Sequence, residues 1–144
     1  MTPEQIDTYL QEPTVAVLSV SRVGRGPLAF PVWFRYDGAD FRLTTAPDSA
    51  HGRLLQETGR ATITVRSETY ADDRLRQVYV MAEGPVAFTD DDVAALATDL
   101  RRRYYTGPRA DEWVGRPLGD VATRERVLVL RPEHLSGFDD TETL

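Results

Sequence analysis

A series of short apolar alternations, each cut off by turn residues, constrains this chain more than any other feature. "TVAVLSVS", "PLAFPVWFRY", "DFRLTT", "ATITVRS" and "RQVYVMAEGPVAF" are rich in β-branched and aromatic residues, and "GRG" and "DGAD" punctuate them. A period of two puts one side of each run in a core and the other in solvent, so these segments are expected as strands, with "RERVLVL" a last strand near the C-terminus. In "PLAFPVWFRY", Leu28, Phe30, Val32, Phe34 and Tyr36 fall on one face. Pro31 has no N–H for a ladder, so that strand is expected at an edge, a bulge or a barrel corner.

Helical signals are fewer. In "TPEQIDTYLQ", Thr2 can cap, Pro3 suits the first helical position and Gln5 completes a capping box, with Ile6, Tyr9 and Leu10 as the apolar face. A short helix follows Ser49. A longer one covers "DDDVAALATDLRRRYY", where Val93, Leu96, Ala97, Leu100 and Tyr104 recur at helical spacing, and Arg101 to Arg103 complement the dipole at its end. Antiparallel strands, tight turns and few helices predict a mainly β fold, a small barrel. At 144 residues the chain has room for one such core, so residues 1–144 are expected to form a single domain.

Composition narrows the function. A net charge of −6 argues against a nucleic-acid partner, and no apolar run approaches the roughly 20 residues of a membrane span. With no cysteine and no signal-like start in "MTPEQIDTYL", the cytoplasm is the expected compartment. All 17 basic residues are Arg, which leaves no Lys for a Schiff base. His51 and His134 stand far apart without neighbouring ligands, so no metal site is expected. No G-x-S-x-G elbow surrounds a serine, and the acidic pairs Asp72–Asp73 and Asp90–Asp92 sit where capping or solvation accounts for them. No residue is assigned as a catalytic acid, base or nucleophile.

One loop departs from this acidic background. In "TAPDSAHGR", Thr45, Ser49, His51 and Arg53 gather around the first turn of a helix. With Ser49 as cap, the amides of Ala50, His51 and Gly52 would face outward where the dipole favours an anion, with Arg53 adding a fork of donors. Gly52 would let a ligand approach the backbone. The same residues also suit an ordinary Ser-capped helix with exposed His and Arg side chains, and physics alone does not separate the two.

The spacing T-x-x-x-S-x-H in "TAPDSAH" resembles the T-N-x-x-S-R-K segment of the pyridoxamine 5′-phosphate oxidase family, which binds the flavin phosphate. "RQVYVMAEGPVAFTDDD" is similar to the R-Q-V-x-V-x-G segment, whose Gln contacts the flavin ring, and that position is Gln77 here. "GPLAFPVWFRYDGADFRLTT" looks most like the actinobacterial flavin and deazaflavin oxidoreductases of this superfamily. The likeness runs over residues 2–138. It implies a split β-barrel of the FMN-binding type, forming a homodimer with the cofactor groove at the subunit interface.

By the same resemblance, Pro31, Val32 and Trp33 would lie along the ring of coenzyme F420 or FMN. Thr45, Ser49, Ala50, His51 and Arg53 would hold the phosphate, and Gln77 would meet the ring edge. Trp33 has an alternative role as a plug at the dimer interface. The departures are specific. His51 stands where the oxidase has Lys, Ala29 and Phe34 stand where it has a phosphate-binding Arg and Lys, and its C-terminal substrate segment has no counterpart here. The resemblance therefore implies an F420- or FMN-dependent oxidoreductase acting on a small organic substrate, not pyridoxamine-phosphate oxidation. The alternatives are a non-catalytic flavin-, F420- or haem-binding protein of the same fold, and a ligand-free dimer.

Overall fold

The expected strands pair into one antiparallel sheet that curls until its two ends meet. In the computed structural model, which describes residues 1–140, the strands are β1 (Ala16–Arg22), β2 (Arg25–Val32), β3 (Arg35–Tyr36), β4 (Phe41–Thr45), β5 (Arg60–Ala71), β6 (Arg74–Thr89), β7 (Arg126–Leu130) and β8 (His134–Asp139). Their order is β2-β1-β5-β6-β7-β4-β3, with β8 also beside β6. The terminal strands of this path, β2 and β3, are consecutive in the chain and separated only by Trp33 and Phe34. The result is a barrel split at that point, the fold expected from the sequence. Pro31 duly lies on the edge strand β2, opposite Val17.

The alternation survives, although one expected strand becomes two. From Leu28 to Tyr36 the even-numbered residues turn inward as expected, but the ladder breaks after Val32 and resumes at Arg35. Phe34 and Tyr36 are buried while Leu28, Phe30 and Val32 are half-buried. β6, 16 residues long, serves both halves of the barrel: Val78–Glu83 pair with β8 and Val86–Thr89 with β7. The changeover falls at Gly84, where a Cβ would lie 1.9 Å from the Arg131 carbonyl oxygen, so no side chain fits at this corner.

Leu18 and Val20 of β1, Ile63 and Val65 of β5, Leu43 of β4, and Leu128 and Leu130 of β7 form the centre of the core. Helix α1 (Pro3–Tyr9) adds Ile6, Tyr9 and the adjoining Leu10. Its expected capping box is present: Thr2 Oγ1 accepts from the Gln5 amide at 3.2 Å and Gln5 Oε1 from the Thr2 amide at 2.7 Å. α2 (Ala50–Thr58) ends on Gly59 in the left-handed region, and α3 (Val93–Tyr104) starts at Asp92, whose carboxylate accepts from the Ala95 amide.

Arg103 does more than complement its own helix. It donates to the carbonyls of Leu10, Gln11 and Glu12 at 2.9, 2.6 and 2.6 Å, supplying partners where α1 ends, and its guanidinium lies 5.1 Å from the Phe34 ring centroid.

Three elements had no sequence signal. α4 (Ala110–Val114) and α5 (Asp120–Arg124) are single turns too short to show a period. β8, "HLSGFD", lacks a clean alternation and is held as a strand by its ladder to β6. Among the described residues no helix is long and apolar enough to cross a membrane.

Candidate functional site

Strand β4 ends at Thr45, and four residues later Ser49 opens α2. Ser49 is extended (φ −71°, ψ 164°); its hydroxyl accepts from the Gly52 amide at 3.0 Å and donates to the Ala46 carbonyl at 2.7 Å. One of the three amides expected to face a ligand is therefore used by the cap itself. Those of Ala50 and His51 have no partner among the described residues. Gly52 also has a different purpose from the one expected. A Cβ there would sit 2.0 Å from the Ala46 carbonyl oxygen, so the missing side chain makes room for the chain's own turn, not for a ligand.

The turn returns His51 to the end of β4. His51 Nε2 lies 2.6 Å from Thr45 Oγ1, and its ring centroid is 4.6 Å from that of Phe30 on β2. Thr45 is buried, whereas Arg53 is exposed and its guanidinium has no partner among the described residues.

Phe30, Thr45 and His51 line a cavity of about 510 Å³ together with Val15, Pro31, Val32, Trp33, Thr44, Leu100, Val121 and Glu125. That volume lies within the range of small-molecule sites, and a largely apolar wall with a few convergent polar groups is their usual chemistry. Five of the expected site residues, Pro31, Val32, Trp33, Thr45 and His51, meet here. Ser49, Ala50 and Arg53 belong to the adjoining helix mouth.

Trp33 lies parallel to Tyr104, with centroids 4.8 Å apart and planes at 7°, and meets Tyr105 edge-on at 5.3 Å. The Tyr104 hydroxyl donates to the Thr14 carbonyl at 2.8 Å and accepts from the Phe34 amide at 3.3 Å, so α3 braces the split between β2 and β3. Trp33 keeps 36% of its surface exposed.

Gln77 is not part of this cavity. It lies on β6 opposite Glu68, with its backbone N–H donating to Asp140 Oδ1 at 2.9 Å, and lines a separate depression with Arg66, Tyr79 and Met81. β1 and β5 separate β6 from β2 in the sheet, a lateral distance of about 14 Å at normal strand spacing. Val15, Phe30, Thr44, Leu100, Val121 and Glu125 also line the cavity and are not among the expected site residues; Glu125 arrives through the pairing of β4 with β7, which no local pattern announces.

Of the two positions where the oxidase carries cations, Ala29 is exposed on β2 and Phe34 is fully buried in the core. Among the described residues no three His, Asp or Glu side chains gather to hold a metal, and His134 is an exposed residue 4.0 Å from Glu83. Burial raises the phenols of Tyr9 and Tyr36, but neither lines this cavity.

The strand order, with its break between β2 and β3, defines a split antiparallel β-barrel. The chain belongs to the pyridoxamine 5′-phosphate oxidase family, whose sequence profile matches residues 2–138. No curated protein matches it in sequence. Its fold is similar to that of an F420 reductase (23% identity, 90% of this chain and 94% of that one, TM-score 0.69). It is also similar to an FAD- and haem-binding protein from Mycobacterium smegmatis (20%, 94% and 70%, TM-score 0.71) and to a flavocytochrome from Azotobacter vinelandii (18%, 94% and 66%, TM-score 0.67).

Proposed function

We propose that the cavity binds coenzyme F420, ahead of FMN, and that the chain is an oxidoreductase passing a hydride between that coenzyme and a small organic substrate. The observation that carries this reading is the meeting of Thr45 and His51, on the first turn of α2, in a cavity also walled by Phe30, Pro31, Val32 and Trp33, with the unpartnered amides of Ala50 and His51 and the exposed Arg53 on that same turn. An anionic group suits that turn and a planar ring the apolar wall. F420 ranks first because the strand around "PVWF" resembles the deazaflavin branch and the fold is similar to that of an F420 reductase.

In this reading Thr45 and the free amides of Ala50 and His51 hold the phosphate, and Arg53 adds charge from the rim. Pro31, Val32 and Trp33 keep water from one side of the ring. The coenzyme supplies the hydride chemistry, while the protein binds, orients and desolvates. With Phe34 in the core and Ala29 apolar, the grip has fewer cations than the oxidase pattern, which supports modest affinity for FMN.

The same reading includes a homodimer. Pro31, Val17, Thr64, Met81 and Ser136 lie in register on one side of the sheet across β2, β1, β5, β6 and β8, and Val17 and Met81 are 39% and 43% exposed. A second copy packed there would cover this stripe and could bring its own Gln77 to the groove. Sedimentation of the purified chain tests it, with a dimer mass expected and a monomer mass opposing it.

A non-catalytic carrier is the second reading, supported by similarity to an FAD- and haem-binding protein. For haem, His51 Nε2 is engaged with Thr45, which leaves Nδ1 as the nitrogen open to iron, and His134 lies outside the cavity. Fluorescence and absorbance titration with F420, FMN, FAD and haem tests the proposal: saturable binding of F420 or FMN, followed by reduction of an acceptor, supports it. Retention without turnover supports the carrier, and binding of none contradicts both.

A further inference from the structure

Glu125 is, with His51, one of two ionisable side chains lining the cavity, and the reading above gives it no role. It caps the C-terminus of α5 in an extended conformation (φ −90°, ψ 158°) and leads directly into β7, where Arg126 pairs with Thr45. The ladder thus brings the start of β7 to the end of β4, and Thr44 Oγ1 donates to Glu125 Oε1 at 3.3 Å. The other carboxylate oxygen, Oε2, has neither a hydrogen bond nor an ion pair among the described residues. Neighbouring Arg126 makes no ion pair with it among the described residues; its guanidinium donates to the Glu125 backbone carbonyl at 2.7 Å.

Four of the residues at the cavity therefore form two pairs rooted in consecutive residues of β4, whose side chains alternate across the strand: Thr45 with His51, and Thr44 with Glu125. The first pair sits by free backbone donors. The second presents an acceptor, against a wall that is otherwise apolar and includes Leu100 and Val121. A half-buried carboxylate with one oxygen unpartnered gains from a further donor, and it repels a second anion. A ligand suited to both ends is bipolar, with an anionic group toward α2 and an N–H or O–H toward α5.

We infer that Glu125 is a specificity-determining acceptor for this site. Its carboxylate receives a hydrogen bond from an N–H or O–H of a phosphate-bearing coenzyme and turns away ligands that would place an anionic group at that end. This rests on the coenzyme-binding reading above.

The test is a fluorescence titration of wild type, Glu125→Gln and Glu125→Ala with FMN and with F420, alongside melting curves of the ligand-free proteins. Glu125→Ala is expected to weaken binding of the preferred coenzyme by about tenfold or more, the size of a charge-assisted hydrogen bond. Glu125→Gln, which keeps an acceptor oxygen but loses the charge, is expected to recover part of that loss. All three are expected to melt alike, which separates contact with the ligand from support of the fold. Wild-type binding with both variants equal to it or tighter overturns the role of Glu125 alone. A common fall in melting temperature and affinity that Gln does not relieve also overturns it. Binding of neither coenzyme by the wild type overturns this role together with the coenzyme-binding reading.

Discussion

Thr45 Oγ1 and His51 Nε2 meet at 2.6 Å, tying the last residue of β4 to the first turn of α2. The contact holds a hydroxyl and an imidazole at the wall of the cavity, beside the free amides of the helix mouth. Thr45→Val keeps the shape of the side chain and removes the hydroxyl. It is expected to weaken coenzyme binding by about 1 kcal/mol, roughly fivefold, in an equilibrium titration, while the fold persists.

Gly52 distinguishes two explanations by the sign of one measurement. A glycine within a helix is ordinarily about 1 kcal/mol worse than alanine, so Gly52→Ala would stabilise the chain if the site were open. Because the new Cβ would lie 2.0 Å from the Ala46 carbonyl oxygen, the variant is expected to be less stable by about 1–3 kcal/mol in urea unfolding.

Arg103 of α3 joins the segment just after α1 to the break between β2 and β3 through three backbone carbonyls and the face of Phe34. Arg103→Ala is expected to cost about 2 kcal/mol of unfolding free energy. Arg103→Lys is expected to recover only part of it, since a single ammonium cannot reproduce the planar fork. Equal stability of wild type and Ala variant in the same denaturant series would contradict this.

Acid should weaken one turn in particular. Burial acts to raise the Asp37 carboxyl, but the amides of Asp40 and Ala39 and the Arg42 guanidinium outweigh it and leave it below the ordinary aspartate value. A carboxyl lowered on folding contributes stability above its unfolded value of about 3.9 and loses it as pH falls through the lower folded value. Asp37→Asn is therefore expected to be less stable at neutral pH and to lose less stability than wild type between about pH 4 and pH 2. Parallel acid-unfolding curves would contradict this.

Much of the barrel is legible in the sequence because its strands carry their own period. Leu18 and Val20, or Ile63 and Val65, mark a buried face without knowledge of their partners, and Thr2 with Gln5 marks a helix start within four residues. The helix mouth at Ser49 is legible for the same local reason. What was not legible depends on pairing. Nothing in "HLSGFD" announces a strand until β6 lies beside it, and nothing in "TRERV" announces that Glu125 faces a cavity until β7 pairs with β4. The role of Gly52 is not legible either, because the obstacle, the Ala46 carbonyl, is set by the three-dimensional path of the turn. Gln77 and the cavity residues were grouped by resemblance, whereas within one chain the sheet holds them apart.

The central claim is that the mouth of α2 grips an anion, and FMN against riboflavin tests it most directly because the two differ only by the phosphate. FMN is expected to bind wild type at least about tenfold more tightly than riboflavin, and Arg53→Ala is expected to lose about 1–3 kcal/mol for FMN with little change for riboflavin. Equal affinities for the two compounds, or an FMN affinity indifferent to Arg53, would contradict it.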